Sequence, residues 1–310
     1  MQSGAKHLAR DSKSIVESKE LLPHARCFAP LCMAFFAVWI ATFIMKILII
    51  GGGNMGLTYA RSFARTHVTS RLDLRLLARS PERVAALAVH EIGTVWGSPA
   101  ECVPGANILI LAVKPQDSPA LFETLRGLVQ PEQLVLSIMA GVRISTIREA
   151  LGTPKVIRAM PNLPAQIGMG MTAFTGTDEV TRAELVQVQN LLSTTGKTVY
   201  VEQEGAIDAS TAISGSGPAY VYYCMGALMD AAAQMGFSPA EAELLVSQTF
   251  RGAVELYSQS GLTCQDWIAK VASKGGTTEA ALKAFGAGAV REGLMAGAGA
   301  ARDRAEELGK

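Results

Sequence analysis

"KILIIGGGNMG" (46–56) is the stretch of this chain with the strongest indication of its fold. A short apolar, β-branched run leads directly into a glycine-rich turn, and the residues after the turn have a helical pattern. A buried strand that enters a helix through G-x-G-x-x-G, here Gly51, Gly53 and Gly56, is typical of a dinucleotide-binding turn. Gly51 allows the tight turn, Gly53 lets the backbone approach a pyrophosphate, and Gly56 lets helix and strand pack closely. The N-terminus of the helix offers free N–H groups to the anion.

Strands and helices alternate after this turn. Further strands are predicted at "LDLRLLA" (72–78), "NILILAV" (107–113), "QLVLSIM" (133–139), "KVIRAM" (155–160) and, last, "KTVYVE" (197–202). This alternation predicts a parallel sheet that is covered by helices on both faces. After Glu204 the apolar residues recur at about 3.6 positions, as in helices, and no convincing strand follows. The sequence thus predicts an α/β chain, with a Rossmann-type parallel sheet domain at 45–204 and an all-helical domain at 205–310.

The residues before the glycine turn need a separate interpretation. The uncharged, mostly apolar run 27–45 comes close to the about 20 residues that a membrane-spanning helix needs, and basic residues outnumber acidic ones before it. However, a spanning helix that ended at Met45 would leave no linker to the first strand. We therefore expect Met45 to be the functional start and residues 1–44 to be a hydrophobic N-terminal extension outside the fold. A membrane or organelle anchor is the alternative, and the intact mass of the native protein would distinguish the two.

Composition excludes several classes of function. The chain has 310 residues, enough for two domains, with 49% hydrophobic and 18% charged residues. Its net charge of +1 gives no electrostatic argument for a nucleic-acid partner. The five cysteines are scattered without a C-x-x-C pair, which favours a reducing compartment such as the cytoplasm over a disulfide framework or a metal site. No histidine follows His90, so proton chemistry in the helical domain must use other groups or water.

The end of the second predicted strand indicates which dinucleotide binds. A carboxylate at this point would bond the ribose 2′-hydroxyl of NAD. This chain has "ARSPER" instead, with Arg79 and Ser80 in place of the acid and Arg83 nearby. A guanidinium and a hydroxyl suit a 2′-phosphate, so NADP is preferred. The alternative is that Arg79 is only a solvated surface charge.

Two loops in the helical domain precede helices and combine glycines with hydroxyl groups. They are "TAISGSGPAYVYY" (211–223) and "VASKGGTTEAAL" (271–282). Free N–H groups and hydroxyls at a helix N-terminus suit a small carboxylate. The alternative is that the serines and threonines only cap the helices.

Together these segments resemble the delta-1-pyrroline-5-carboxylate reductase family, from about Lys46 to the C-terminus. The similar segments are "GGGNMG", "AVKPQ" (112–116), "SIMAGV" (137–142), "VIRAMPNLPAQIGMG" (156–170), "SGSGPAY" (214–220) and "SKGGTT" (273–278). The last two together are highly specific. The chain departs from the family pattern at Lys274, where a proline is usual, and at Leu163, where a threonine is usual. Lys274 adds a cation near the carboxylate site, and Leu163 removes a hydroxyl near the cofactor.

The resemblance implies NADPH-dependent reduction of the cyclic imine 1-pyrroline-5-carboxylate to L-proline, the last step of proline biosynthesis. It assigns NADP(H) binding to the fingerprint, "AVKP" and "MAG" residues: Ile50, Gly51, Gly52, Gly53, Asn54, Met55, Gly56, Ala112, Val113, Lys114, Pro115, Met139, Ala140 and Gly141. It assigns the substrate to Ser273, Gly275, Gly276, Thr277 and Thr278. Thr278 is the candidate catalytic residue, which would bond the ring nitrogen and relay a proton. No metal is implied.

Members of this family form dimers through interlocked helical domains, often assembling further. Helices at 217–236, 238–258 and 287–308, apolar on more than one face, agree with such a homodimer. Two other functions stay open. A β-hydroxyacid dehydrogenase would need a catalytic lysine, and Lys270, Lys274 and Lys283 lack such a motif context. A cofactor-binding regulator without turnover is the non-enzyme alternative, hinted at only by Lys274 and Leu163.

Overall fold

Residues 45–309 are described by the computed structural model of the chain. The expectations about the apolar run that precedes Met45 and about the extension 1–44 therefore concern residues outside the described range. From Met45 to Gly309, no helix is both long enough and apolar enough to cross a bilayer.

An eight-stranded sheet forms the first part of the described chain, in the order β3-β2-β1-β4-β5-β6-β7-β8. Its strands are β1 (Ile47–Ile50), β2 (Leu74–Leu77), β3 (Thr94–Trp96), β4 (Ile108–Leu111), β5 (Leu134–Ser137), β6 (Val156–Met160), β7 (Gly170–Gly176) and β8 (Gly196–Tyr200). The pairs from β3 to β6 are parallel, as is the pair β7–β8. The predicted Rossmann-type sheet is confirmed in outline.

One strand pair departs from the predicted parallel arrangement, because β7 runs antiparallel to β6. The segment 161–169 that joins them contains only a short 3-10 turn, Leu163–Ile167. A parallel crossover needs about a dozen residues or more, so this connection can only turn the chain back. The sequence reading also missed β7 and the three-residue β3, since neither has the apolar run of the buried strands.

Helices cover both faces of the sheet, as predicted. Alternate side chains of β1 point to opposite faces. Ile47 and Ile49 pack with Tyr59 and Phe63 on one face. Leu48 and Ile50 belong to the apolar core of the other face. The helices of this part are α1 (Asn54–Thr66), α2 (Pro81–Ala88), α3 (Pro99–Cys102), α4 (Ser118–Leu125), α5 (Ile144–Leu151) and α6 (Arg182–Ser193).

The rest of the described chain is helical. Its elements are α7 (Gly205–Ser210), a π-helical turn (Thr211–Gly215), α8 (Gly217–Gln234), α9 (Pro239–Ser258), α10 (Cys264–Val271), α11 (Thr277–Ala287) and α12 (Val290–Leu308). Helix α7 contacts β6 and β7, and α12 returns to contact α7 and the π-helical turn. The helical part is thereby joined to the sheet at β6.

Candidate cofactor and substrate site

The carboxyl ends of β1, β4 and β5 are adjacent, and each continues into one of the segments predicted to bind the cofactor. The segments are Ile50–Gly56 after β1, Ala112–Pro115 after β4 and Met139–Gly141 after β5. Their contact is direct, since the N–H of Ala112 donates to the carbonyl of Ile50 at 2.8 Å. The chain continues from β1 to β2 on one side of β1 and later returns from β3 to β4 on its other side, so the strand order reverses between β1 and β4. Ligands of open α/β sheets bind at such a switch point.

The glycine turn is closely packed at two positions and open at one. Gly51 has φ +111°, and a Cβ there would lie 2.6 Å from the carbonyl oxygen of Ala112. A Cβ on Gly56 would overlap the carbonyl oxygen of Gly51. A Cβ on Gly53 would meet no atom within 4 Å, and Gly53 is the N-cap of α1 without a side-chain cap. Open space and the free N–H groups of the helix start therefore occur together at Gly53, and this combination suits the binding of a pyrophosphate.

Two arginines lie between the end of β2 and the glycine turn. Arg79 is 84% exposed, and its Nη1 lies 3.4 Å from Oδ1 of Asp117. The Arg83 guanidinium donates a hydrogen bond to the carbonyl of Gly52. Asp117 was not among the predicted site residues, because its pairing with Arg79 spans 38 positions. Two cations at this place suit an anionic group next to the turn.

Ser80, predicted as a 2′-phosphate ligand, is the N-cap of α2. Its Oγ accepts a hydrogen bond from the N–H of Arg83 at 3.3 Å. A side-chain hydrogen bond with Ser80 also lowers the pKa of Glu82. An anion at this place would therefore compete with the Glu82 carboxylate for the Ser80 hydroxyl. The sequence "SPE", a serine followed by a proline at the first helical position, indicates that Ser80 is an N-cap.

Asn162 connects the sheet to the π-helical turn 211–215, where the sequence predicted a loop. Its Oδ1 accepts a hydrogen bond from the N–H of Met171 at 2.8 Å, and its Nδ2 donates to the carbonyl of Ser214 at 3.0 Å. Leu163, the departure from the family pattern, is 48% exposed. The sequence analysis did not single out Asn162, although an asparagine two positions after a buried strand was a signal for it.

The predicted substrate loop ends at the N-terminus of α11. The N–H of Gly276 donates to the carbonyl of Ser273 at 3.0 Å, and the N–H of Gly275 donates to the Glu279 carboxylate. The hydrogen bond from the Gly275 N–H lowers the pKa of Glu279 most, and the hydrogen bond from Lys283 lowers it further. The loop is thus bonded to an ionised carboxylate of α11 that the prediction missed. Its signal was a glutamate at the third position of the helix, where a side chain reaches back to the loop.

The structure brings some predicted site residues together and leaves others apart. The three cofactor segments meet at one sheet edge. Among the described residues, the hydrogen bonds of the 273–278 loop stay within the loop and the first turns of α11. Helix α11 itself packs mainly against α12. Thr277 is exposed and Thr278 is half-buried. Among residues 45–309, no hydrogen bond joins the substrate loop to the three cofactor segments.

Comparison with known proteins gives matches along the described chain. Residues 204–308 match the family described as "Pyrroline-5-carboxylate reductase dimerisation". Residues 46–141 match the family described as "NADP oxidoreductase coenzyme F420-dependent".

Curated relatives and solved structures agree with these matches. The pyrroline-5-carboxylate reductase of Pseudomonas aeruginosa is 35% identical over 270 residues, which are 86% of this chain and 98% of that protein. Pyrroline-5-carboxylate reductase 2 of Bacillus subtilis is 34% identical, over 77% of this chain and 86% of that protein. The crystal structure of Plasmodium falciparum pyrroline carboxylate reductase with NADP bound gives a TM-score of 0.77 at 26% identity, covering 86% of this chain and 99% of that one. The chain belongs to the pyrroline-5-carboxylate reductase family.

Proposed function

We propose that this chain reduces 1-pyrroline-5-carboxylate to L-proline with NADPH, the last step of proline biosynthesis. The observation that carries the proposal is the similarity to the Pseudomonas reductase, which runs through 98% of that protein. It therefore includes both the cofactor edge and the helical part. The open glycine turn supports the proposal independently, because its geometry fits a pyrophosphate.

Each cofactor segment has a physical role in this proposal. The free N–H groups at the start of α1 bind the pyrophosphate, and the first turn of this helix contains no acidic side chain to repel it. Arg79 and Arg83 attract the 2′-phosphate. Ala112–Pro115 and Met139–Gly141 form the neighbouring wall of the same edge. When bound, NADPH supplies the hydride that reduces the C=N carbon.

The loop 273–278 is the proposed substrate site. The N–H groups of Gly275 and Gly276 already bond Glu279 and Ser273. The N–H groups and hydroxyls of Thr277 and Thr278 at the start of α11 therefore bind the carboxylate and the ring nitrogen of the imine. Lys274 is exposed in this loop and adds a positive charge toward the substrate carboxylate. Thr278 hydrogen-bonds the nitrogen and relays a proton to it from water, so that the better electrophile, the protonated imine, would face the cofactor.

The proposed assembly is a homodimer through the helical domain, with Glu204 at the boundary between the two domains. Large apolar side chains stay exposed on α8 and α9, among them Tyr223 at 77%, Met235 at 77% and Leu244 at 68%. An apolar groove of about 220 Å³ between these helices is lined by Leu228, Ala231, Ala232, Met235, Leu245, Val246, Thr249 and Phe250. A second copy would cover this surface. It would also offer its 273–278 loop to a cofactor edge that makes no hydrogen bond to the described loop of its own chain.

Mixing of two inactive variants tests this assembly. Gly51→Ala removes the cofactor turn and Thr278→Ala removes the substrate hydroxyl. If the loop of one subunit serves the edge of the other, each mixed dimer has one intact site of two. Random mixing makes about half of the dimers mixed, so about a quarter of the wild-type activity should return. If every site is built within one chain, mixing restores no activity.

The activity itself is tested by oxidation of NADPH in the presence of 1-pyrroline-5-carboxylate, with proline identified as the product. Oxidation that depends on the imine and yields proline supports the proposal. Oxidation of 3-hydroxyisobutyrate with NADP⁺, without imine reduction, would instead indicate a β-hydroxyacid dehydrogenase. NADPH binding without turnover of either compound would indicate a regulator. We propose a cytoplasmic location for the enzyme, supported by the scattered cysteines, and fractionation of cells tests it.

A further inference from the structure

The segment Met139–Gly141 leaves β5 and enters α5 through a tight turn. Met139 and Gly141 are both buried, and Gly141 has φ +75°. The segment itself contains no charged side chain that could fix it. Locally, the N–H of Met139 donates a hydrogen bond to Oγ of Ser137 at 3.3 Å. Beyond this bond, the conformation of the segment depends on what packs against it and on what holds the start of α5.

The Glu204 carboxylate holds the start of α5. Its Oε1 accepts a hydrogen bond from the N–H of Ile144, the first residue of α5, at 2.9 Å. The same oxygen lies 3.0 Å from Nη1 of Arg158 in β6. Glu204 directly precedes α7, so one oxygen atom joins the beginning of the helical part to both β6 and α5.

Arg158 fixes the position of Glu204 in turn. Its side chain is 1% exposed, and its Nη2 lies 2.5 Å from Oδ1 of Asp208 in α7. A buried guanidinium that loses a carboxylate partner leaves an uncompensated charge, so this three-residue cluster has little freedom to move. The start of α5 is thereby tied to a rigid part of the molecule.

The C-terminal end of α12 packs against the same segment from another side. A Cβ on Gly141 would lie 3.0 Å from Cβ of Leu308, and a Cβ on Gly309 would lie 2.8 Å from the carbonyl oxygen of Gly141. Leu308 and Gly309 are therefore in close contact with Gly141, although they are distant from it in sequence. Ala305, one turn earlier, is buried.

We propose that Glu204 and the Leu308–Gly309 end of α12 are positioning elements that hold Met139–Gly141 in its cofactor-binding conformation. The inference rests on the proposed function, because it takes this segment as part of the NADPH site. Its physical basis is that a binding segment gives affinity only when the surrounding residues keep it in place. The helical part then contributes to cofactor binding without touching the cofactor.

Hydrogen–deuterium exchange without cofactor tests the positioning directly. Glu204→Ala removes the acceptor for Ile144, and Gly309→Ala inserts a methyl group toward Gly141. Each change should raise the exchange rate of the amides of 139–144 by about tenfold. The matched control is Gly205→Ala, because a Cβ there meets no atom within 4 Å. Unchanged exchange in both variants overturns the inference, whether or not the protein binds NADPH.

Direct NADPH binding, measured by calorimetry, adds the functional readout. Glu204→Ala and Gly309→Ala should raise the NADPH Kd about tenfold, while Glu204→Gln, which keeps an oxygen acceptor, should restore most of the affinity. A Kd that stays at the wild-type value in both variants overturns the link to cofactor binding, even if their melting temperatures fall. If the wild-type protein itself does not bind NADPH, the proposed function fails. The hydrogen–deuterium exchange experiment still decides, in that case, whether Glu204 and Gly309 keep 139–141 in its conformation.

Discussion

The side-chain amide of Asn162 donates a hydrogen bond of 3.0 Å to the carbonyl oxygen of Ser214. Asn162 follows β6, and Ser214 lies in the π-helical turn before α8. The other end of the same amide accepts from the N–H of Met171 at the start of β7. One side chain thus fixes the distance between the sheet and a segment that the family resemblance marks as distinctive.

Replacement of Asn162 should separate the two hydrogen bonds. Asn162→Ala loses both and should lower the free energy of unfolding by about 1–3 kcal/mol. Asn162→Asp keeps an acceptor for Met171 but loses the donor to Ser214, so it should recover stability and still show a raised KM for the imine. Urea unfolding and steady-state kinetics measure these effects, with exposed Asn190→Ala as the control. Equal behaviour of the Ala and Asp variants would contradict separate roles for the two bonds.

Two glycine substitutions should distinguish packing from ligand binding in the fingerprint turn. Gly51→Ala should destabilise the protein by about 1–3 kcal/mol, because its backbone is strained for an L-residue and its Cβ meets the carbonyl of Ala112. Gly53 has φ −77° and an open surrounding, so Gly53→Ala should melt like the wild type. It should nevertheless raise the NADPH Kd at least about tenfold, because its methyl group occupies the pyrophosphate position. Unchanged NADPH affinity in Gly53→Ala would contradict this placement.

The cofactor edge could be predicted from sequence because the residues that determine it are close together in the chain. The strand, the turn glycines and the helix start all lie within 46–56, and parallel pairing places the ends of β1, β4 and β5 side by side once the strands are identified. Strand β7 could not be predicted in the same way. Its direction follows from the short connection 161–169, whereas the apolar pattern of a strand contains no information about direction.

The polar contacts of the candidate site were mostly missed because their partners are distant in sequence. Arg158 and Glu204 are 46 positions apart, and Asn162 and Ser214 are 52 apart. A single arginine within a strand, or an asparagine after one, does not reveal which carboxylate or carbonyl it will meet. Glu279 is the exception, since the spacing from Gly275 corresponds to one helical turn. The roles assigned to the 273–278 loop stay a prediction.

Cofactor selectivity should change when the charge of Arg79 is reversed. Arg79→Asp removes a cation from the expected 2′-phosphate position and supplies the carboxylate that a ribose 2′-hydroxyl prefers. A hydrogen bond to a charged group contributes about 1.5–3 kcal/mol, so the ratio of NADPH to NADH efficiency should fall about ten- to a hundredfold. Kinetics with both cofactors measure the ratio, and Arg126→Asp, at another exposed arginine, is the control. An unchanged ratio would show that Arg79 is a solvated surface charge.

Loss of the Thr278 hydroxyl should lower turnover rather than cofactor binding. Thr278 lies on the first turn of α11, after the N-cap Gly276, so it is not the capping residue. Thr278→Ala should lower kcat about a hundredfold, the lower range for general acid–base assistance. Thr278→Ser keeps the hydroxyl and should recover most of the turnover, with the NADPH KM unchanged in both. Turnover near the wild-type value in Thr278→Ala would exclude the proton-relay role.

The capping box of α6 should make the stability of the sheet domain depend on pH. Burial raises the pKa of Glu184, but hydrogen bonds from Lys155 and from Thr181 outweigh it and hold the pKa below the ordinary 4.5. A lowered pKa means that this carboxylate stabilises the fold above pH 4.5 and that the contribution is lost as the pH falls through the folded-state pKa.

Glu184→Gln should therefore lower the free energy of unfolding by about 1–2 kcal/mol at pH 7, and the difference from the wild type should shrink steadily in acid. Chemical unfolding at a series of pH values measures it. Glu123→Gln, at an exposed ion pair, should change little at any pH. A Glu184→Gln difference that stayed constant into acid would show that the shape of the side chain, and not its charge, stabilises the start of α6.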